Sequence, residues 1–181
     1  GSDNDIGEHS VIGGQPQHTA RPETVGKIVI GKHNVFREGI TIHRALKPDG
    51  QTRVGDHNYL MAGAHLGHDT HLGNNCIFAN NSLAGGHVVI EDRSFVSGAV
   101  AIHQFCRVGQ FSMIGGHARV VQDVPPFMLI DGQSGSIVGL NTIGLRRAGY
   151  SADELTALKA AYRVIYRRGL PWTEVLETLK T

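Results

Sequence analysis

The residues best equipped for chemistry in this 181-residue chain are its eleven histidines, an unusually large share. His65 and His68 fall together in the segment Ala64-His-Leu-Gly-His-Asp69, and His87 follows the glycine pair Gly85-Gly86. His103 comes next, beside Gln104, while His43 lies nearer the N-terminus. A neutral imidazole titrates close to working pH, so it can take a proton from a hydroxyl or an amine as a general base. Asp69, directly after His68, is a partner able to orient it. Amides at Gly85-Gly86 carry no side chain and can approach an oxyanion closely. The same residue types also suit zinc, whose commonest nitrogen ligand is histidine, and His65-x-x-His68-x-x-His71 is the run that suggests it. The choice depends on how the chain places these side chains.

The placing comes from a repeat. Every sixth residue from Val54 reads Val54, Leu60, Leu66, Leu72, Phe78, Ala84, Ile90, Val96, Ile102, Val108, Ile114 and Val120. The phase extends back through Ile6, Ile12, Ile30, Phe36 and Ile42. Four residues after each of the twelve stands a small or β-branched residue, Asn58 excepted, and glycine often follows the aliphatic directly. A period of six fits neither an amphipathic helix nor a simple sheet. It fits an all-β body, a parallel β-helix of triangular coils with the aliphatic inward, the small residue in the tapering corner and Gly or Asn at the turn. Each coil is then stable only against its neighbours. Three six-residue sides give about eighteen residues per coil, which stacks Gly86 on His68 and Gln104 on Gly86. His68, His87 and His103 accordingly climb one edge on successive coils. On such a coil, residues three apart point to opposite sides of a strand or around a corner, so His65, His68 and His71 of one chain are not expected to converge on a metal.

Residues 16–27 and 46–52 are polar, rich in Pro or Gly, and read as loops extruded from the coils. The repeat fades after Pro125-Pro126, and Ser151-Ala-Asp-Glu154 then reads as an N-cap with its capping-box Glu, opening a helix over about 152–167. Gly169 stops it, and Pro171 opens a second helix through Val175, Leu176 and Leu179. The expected organisation is a β-helical body over 1–140 and a small α-helical tail over 141–181. A net charge of +1 argues against a general nucleic-acid binder, and no apolar run is long enough to span a bilayer. Two cysteines, Cys76 and Cys106, form no CxxC pair and no disulfide framework, which fits a reducing, cytoplasmic setting.

The segments Ala64–Asp69, Ala79–His87, Ile102–Cys106, Gln122–Pro126 and Gly139–Arg147, taken together, resemble the UDP-N-acetylglucosamine O-acyltransferase family of lipid A biosynthesis. The resemblance runs through almost the whole chain, helical tail included. It implies a left-handed β-helix and a cytoplasmic homotrimer with active sites between neighbouring copies. It also implies an acyl donor in acyl carrier protein, a UDP-N-acetylglucosamine acceptor and no cofactor or metal. By that resemblance His68 is the general base, Asp69 its orienting carboxylate and the Gly86 amide the oxyanion donor. His43, His65, His87, His103 and Gln104 line the sugar and acyl cleft, Asn141 and Arg147 hold the nucleotide, and Gly116 marks the acyl-chain ruler. Arg146, Arg147, Lys159, Arg163, Arg167 and Arg168 form a basic patch suited to an acidic carrier protein.

This sequence departs from the family in places. An Asp and a Lys that contact the sugar nucleotide are replaced within Gln17-His18-Thr19-Ala20-Arg21. Ser134 stands for a ruler His, Ala148 for a third basic residue, and the family's first coils have no counterpart, as in a fragment or shortened homologue. Three functions are therefore weighed: the acyltransferase; a non-catalytic or divergent homologue acting on another UDP-amino sugar; and a zinc enzyme of the γ-carbonic anhydrase type, which shares the prism.

Overall fold

The computed structural model describes residues 1–180 and shows a three-sided prism of short strands with helices at its C-terminal end. The strands form three sheets of eight, six and five members. Each strand pairs with the strand one coil away: Tyr59 with Ile77 in the first sheet, His65 with Leu83 in the second, His71 with Val89 in the third. In these coils the offset is eighteen residues, as three sides of six require, and the extruded loops lengthen it in the coils before them. The last strand, Ile137–Leu140, turns back antiparallel on Met128–Ile130 and ends the coils.

The aliphatic column runs unbroken through the prism, with Leu60, Leu66, Phe78, Ala84, Val96, Val108 and Ile114 wholly buried. The corner residues four places on, from Asn58 to Val124, are buried as well. At the N-terminal end the phase holds but the burial does not. Ile6 is 56% exposed, and Ile12 and Ile30 are only partly buried, because the first coil has a ladder neighbour on one side alone.

The corners differ from the expected pattern of Gly or Asn. Asp69, His87 and Phe105 turn the corner between the second and third sheets, and His33, His57, Asn75, Arg93 and Phe111 turn that between the third and first, all at φ between +55° and +67°. A left-handed backbone costs an L-residue about 1–2 kcal/mol. Here each such residue but Asp69 donates its N–H to a carbonyl of the coil before, as His87 does to His68 (2.9 Å) and Phe105 to Gly86 (3.1 Å), while the Asp69 N–H donates to Thr52 Oγ1. That bond offsets the strain whatever the side chain. Glycine is needed one step after the inward aliphatic instead: a Cβ at Gly67 would meet the Gly86 nitrogen at 2.8 Å, and one at Gly85 the Gln104 nitrogen at 2.9 Å.

Under the third–first corner an asparagine ladder replaces apolar packing. Asn34 Nδ2 donates to Asn4 Oδ1 and the Gly55 carbonyl, Asn58 Nδ2 donates to the Gly73 carbonyl, and the Cys76 N–H donates to Asn58 Oδ1. Buried amides remain satisfied by bonding the backbone.

Three helices follow the coils: α1 (Thr142–Arg147), α2 (Ala152–Tyr166) and α3 (Trp172–Lys180). The capping box of α2 forms as its sequence requires, Ser151 and Glu154 bonding each other's backbone N–H. Gly169, at φ +64°, separates α2 from α3. In α3 only Val175 is buried, while Leu176 and Leu179 are exposed. The short α1 is not marked by any periodicity; Asn141 caps it, its Oδ1 accepting from the Gly144 N–H. None of these helices is long and apolar enough to cross a membrane.

Candidate active site

Both extruded loops leave the prism at the corner between the second and third sheets, the corner that carries His68. One occupies 15–26, between Val11–Gly14 and Lys27–Ile30; the other occupies 44–50, between Thr41–His43 and Gln51–Val54. The next three coils present Gly67–Thr70, Gly85–Val88 and His103–Cys106 on the same edge. Loops and edge together make one walled site.

His68 is 8% exposed, and its Nδ1 lies 2.8 Å from Asp69 Oδ2. An ionised carboxylate only accepts, so Nδ1 carries the proton and Nε2 holds the free lone pair. Asp69 is itself fixed: its Oδ2 accepts from the Leu46 N–H at 2.9 Å and its own N–H donates to Thr52 Oγ1 at 2.8 Å. The loop over 44–50 therefore orients the pair. On the far side of the imidazole, a Cβ at Gly86 would come within 2.7 Å of His68 Nε2, so any side chain there would have to displace the ring. The Gly86 N–H has no acceptor among the described residues. The edge therefore offers a lone pair on His68 and an unpartnered N–H on the glycine packed against it, the two kinds of group that remove a proton and receive a developing negative charge.

The histidine row is shorter than its sequence spacing suggests. The ring of His87 meets His68 edge-on at 5.1 Å, and its Nε2 is 3.8 Å from Asp69 Oδ2. Its other face stacks on Phe105 at 4.7 Å, leaving His103 exposed beside its own neighbour, where Nδ1 donates to the Gln104 carbonyl. Burial holds the His87 pKa below the usual imidazole range, with Asp69 opposing it. The fourth ring at the site is one the spacing did not mark: His18, in the first loop, lies edge-on to His68 at 5.7 Å. Only its place beside the family's missing Asp and Lys pointed there.

His43 and His65 occupy the second sheet below this edge, 5.3 Å apart. The Gln15 carbonyl binds His43 Nδ1 at 2.5 Å, which leaves His43 Nε2 a buried lone pair without a partner among the described residues. His65 Nδ1 bonds Thr41 Oγ1 at 2.8 Å, and burial, then the neighbouring His43, holds its pKa low. His71 is on the third sheet, bonded to the Gln51 carbonyl, so His65, His68 and His71 do not converge.

The remaining candidates lie elsewhere. Arg147 and Asn141 line a groove on the outer face of the first sheet, among Ile77, Phe95, Met113 and Leu140, with Arg93 at its rim. Asn141 is 8% exposed and spends its amide on α1 and on the Phe111 carbonyl. Gly116 is on the corner between the first and second sheets, stacked against Gly98. The Asn141–Arg147 groove and the His68 edge therefore lie on different faces of one chain.

The comparisons with known proteins decide what this edge belongs to. A profile of the bacterial transferase hexapeptide (six repeats) matches residues 51–86, and one of UDP N-acetylglucosamine O-acyltransferase, domain 2, matches 123–181. The acyl-[acyl-carrier-protein]--UDP-N-acetylglucosamine O-acyltransferase of Burkholderia orbicola is 44% identical over 181 residues, covering 99% of this chain and 69% of that protein. The chain belongs to the UDP-N-acetylglucosamine O-acyltransferase family. The Synechocystis member is 41% identical over 99% of this chain and 65% of its own. Solved structures of this family superpose closely. The Arabidopsis enzyme gives a TM-score of 0.95 at 41% identity, covering 99% of this chain and 64% of that one; the Bacteroides fragilis enzyme gives 0.93 at 37%, covering 98% and 70%. The coil is accordingly the left-handed β-helix of the family.

Proposed function

We propose that this chain transfers a (3-hydroxy)acyl group from acyl carrier protein to the sugar hydroxyl of UDP-N-acetylglucosamine, the first step of lipid A biosynthesis. The observation that carries the reading is the His68–Asp69 pair with Gly86 pressed against the imidazole. His68 Nε2 takes the hydroxyl proton as the oxygen attacks the thioester carbonyl. The Gly86 N–H receives the oxyanion of the tetrahedral intermediate. Collapse breaks the C–S bond, and the imidazolium returns its proton to the departing thiolate. Asp69 holds the tautomer throughout and steadies the imidazolium. His43, His65, His87, His103 and Gln104 line the sugar and acyl cleft around this point.

The assembly is a homotrimer in which the first-sheet face of one copy meets the second-sheet face of the next, bringing Asn141 and Arg147 of one copy to His68 of its neighbour. Two observations support it. The groove with Asn141 and Arg147 and the His68 edge are on different faces of one prism, and the outward row Val35, Tyr59, Ile77, Phe95, Met113 and Leu129 is apolar and half-buried. Gly116 leaves the acyl channel open to a longer chain. The exposed basic residues of α1, α2 and the turn after α2 receive the acidic carrier protein. The body spans 1–140 and the carrier-binding tail 141–181, and the protein works in the cytoplasm, where a carrier-bound acyl chain and a nucleotide sugar meet without crossing a membrane. Incubation with acyl carrier thioester and UDP-N-acetylglucosamine is expected to yield acylated nucleotide. No product from the assembled protein, across several chain lengths and UDP-sugars, overturns the reading.

A further inference from the structure

We propose that His68, Asp69 and His87, closed on the solvent side by His18, form a capture site for a borderline transition-metal ion, Zn²⁺ first, and that the ion locks His68 in the tautomer with no use as a base. His68, Asp69 and His87 each offer a ligand atom, and these atoms all lie within 4.8 Å of one another. Asp69 Oδ2 is the shared point, 2.8 Å from His68 Nδ1 and 3.8 Å from His87 Nε2. Two imidazoles on one tetrahedral zinc, with Zn–N near 2.1 Å, put their ring centres about 5 Å apart. The His68 and His87 rings are 5.1 Å apart and the His68 and His18 rings 5.7 Å.

The frame is already set. The His87 N–H donates to the His68 carbonyl at 2.9 Å, tying the two corners together, and Leu46 and Thr52 fix Asp69 from the neighbouring loop and strand. His18 Nδ1 accepts from the Ala20 N–H at 3.1 Å, so the neutral ring carries its proton on Nε2, and His18 ligates the ion only by giving that bond up. Imidazole with one carboxylate selects Zn²⁺, Cu²⁺ or Ni²⁺ over Mg²⁺ or Ca²⁺.

The ion replaces the hydrogen bond between Nδ1 and Oδ2. It takes the Nδ1 lone pair of neutral His68, and the ring's single proton sits on Nε2. No net proton is released, but the lone pair that a base needs is gone. Capture itself stands independently of the acyl-transfer reading; only its consequence for turnover rests on that reading.

The experiment titrates Zn²⁺ alone into the full chain at pH 7.5 against a chromogenic chelator, with histidine-ring NMR to report the His68 tautomer. One equivalent bound per chain is expected, with the His68 ring proton moving from Nδ1 to Nε2. His87→Ala and His18→Ala should each weaken binding by about tenfold or more, the scale on which losing one ligand or supporting group acts. His33→Ala should leave it unchanged. Binding that survives both His87→Ala and His18→Ala, binding lost in His33→Ala, or no equivalent held below about 100 µM overturns the site. If zinc binds as expected but acyl transfer is absent with and without chelator, the acyltransferase reading fails and the metal site stands.

Discussion

Two corners of the same prism use one backbone geometry to opposite ends. At the third–first corner, His33 stacks on His57 at 4.9 Å, Arg93 lies over Phe111 at 5.7 Å, and Phe111 and Phe127 meet Tyr150. Beneath them the asparagine ladder ties coil to coil. Side chains there bond one another and the backbone. At the second–third corner the left-handed positions are held by Asp69, His87 and Phe105, and two loops wall them in. A histidine on the first of these corners is a stacked surface ring; on the second it is 8% exposed, oriented by a carboxylate and pressed against a glycine. The proposed reactivity rests on the loops and on one missing Cβ, since the corner itself is the same.

That contrast breaks most sharply at the proposed base. His68→Ala is expected to lower turnover by about 10²–10⁴-fold, while His33→Ala keeps a near-normal rate and both proteins fold alike by circular dichroism. Retention of more than about a tenth of the activity by His68→Ala would remove the assignment. Next comes Gly86→Ala. Its methyl must displace the imidazole from 2.7 Å, and a misplacement near 1 Å costs about 10²-fold. Nucleotide-sugar affinity, read by titration calorimetry, should change far less than turnover.

The third–first corner should answer in stability and not in rate. Asn58→Ala leaves the Cys76 N–H and the Gly73 carbonyl unpaired, at about 1–3 kcal/mol for each stranded group. The expected result is a lower urea midpoint with activity per folded molecule unchanged.

The smallest effect concerns pH. His65 has a folded pKa below its ordinary value of 6.5, because burial disfavours its charged form. The unfolded chain then binds more protons below that value, so the contribution of His65 is full above about pH 6.5 and is lost as pH falls through the folded pKa. His65→Gln should flatten the Tm profile between about pH 7 and 5. A parallel shift at all pH values would mean that the imidazole acts through packing alone.

Much of this was legible in the sequence because the inward column repeats a residue type at a fixed interval. Leu60 to Val120 could be placed before any coordinates, and so could Gly86 on His68. The capping box of α2 was legible for the same reason, two residue types at a set distance. The left-handed corner residues were not legible, since the ladder bond tolerates His, Phe, Arg or Ala and so leaves no compositional mark. His103 was placed in the row by counting coils, yet the ring that stacks on His87 is Phe105, the residue in register. His18 reaches the site through a loop, where no period operates. That the Asn141 amide also caps α1 and bonds the Phe111 carbonyl is something the sequence does not reveal.

The ladder bonds at the corners have a kinetic side. A left-handed residue is strained until the preceding coil offers its carbonyl, so an isolated coil has every corner's cost and none of the compensation. Order must therefore grow from an existing stack, and disorder must enter from an exposed end. Amide exchange should grade along the axis, slowest near Phe78 and Val96, faster toward Ile6, with each coil opening only after the one outside it has gone. A stack of this kind shields the middle of the molecule by its length, and the His68 edge keeps its shape because coils pack on both sides of it.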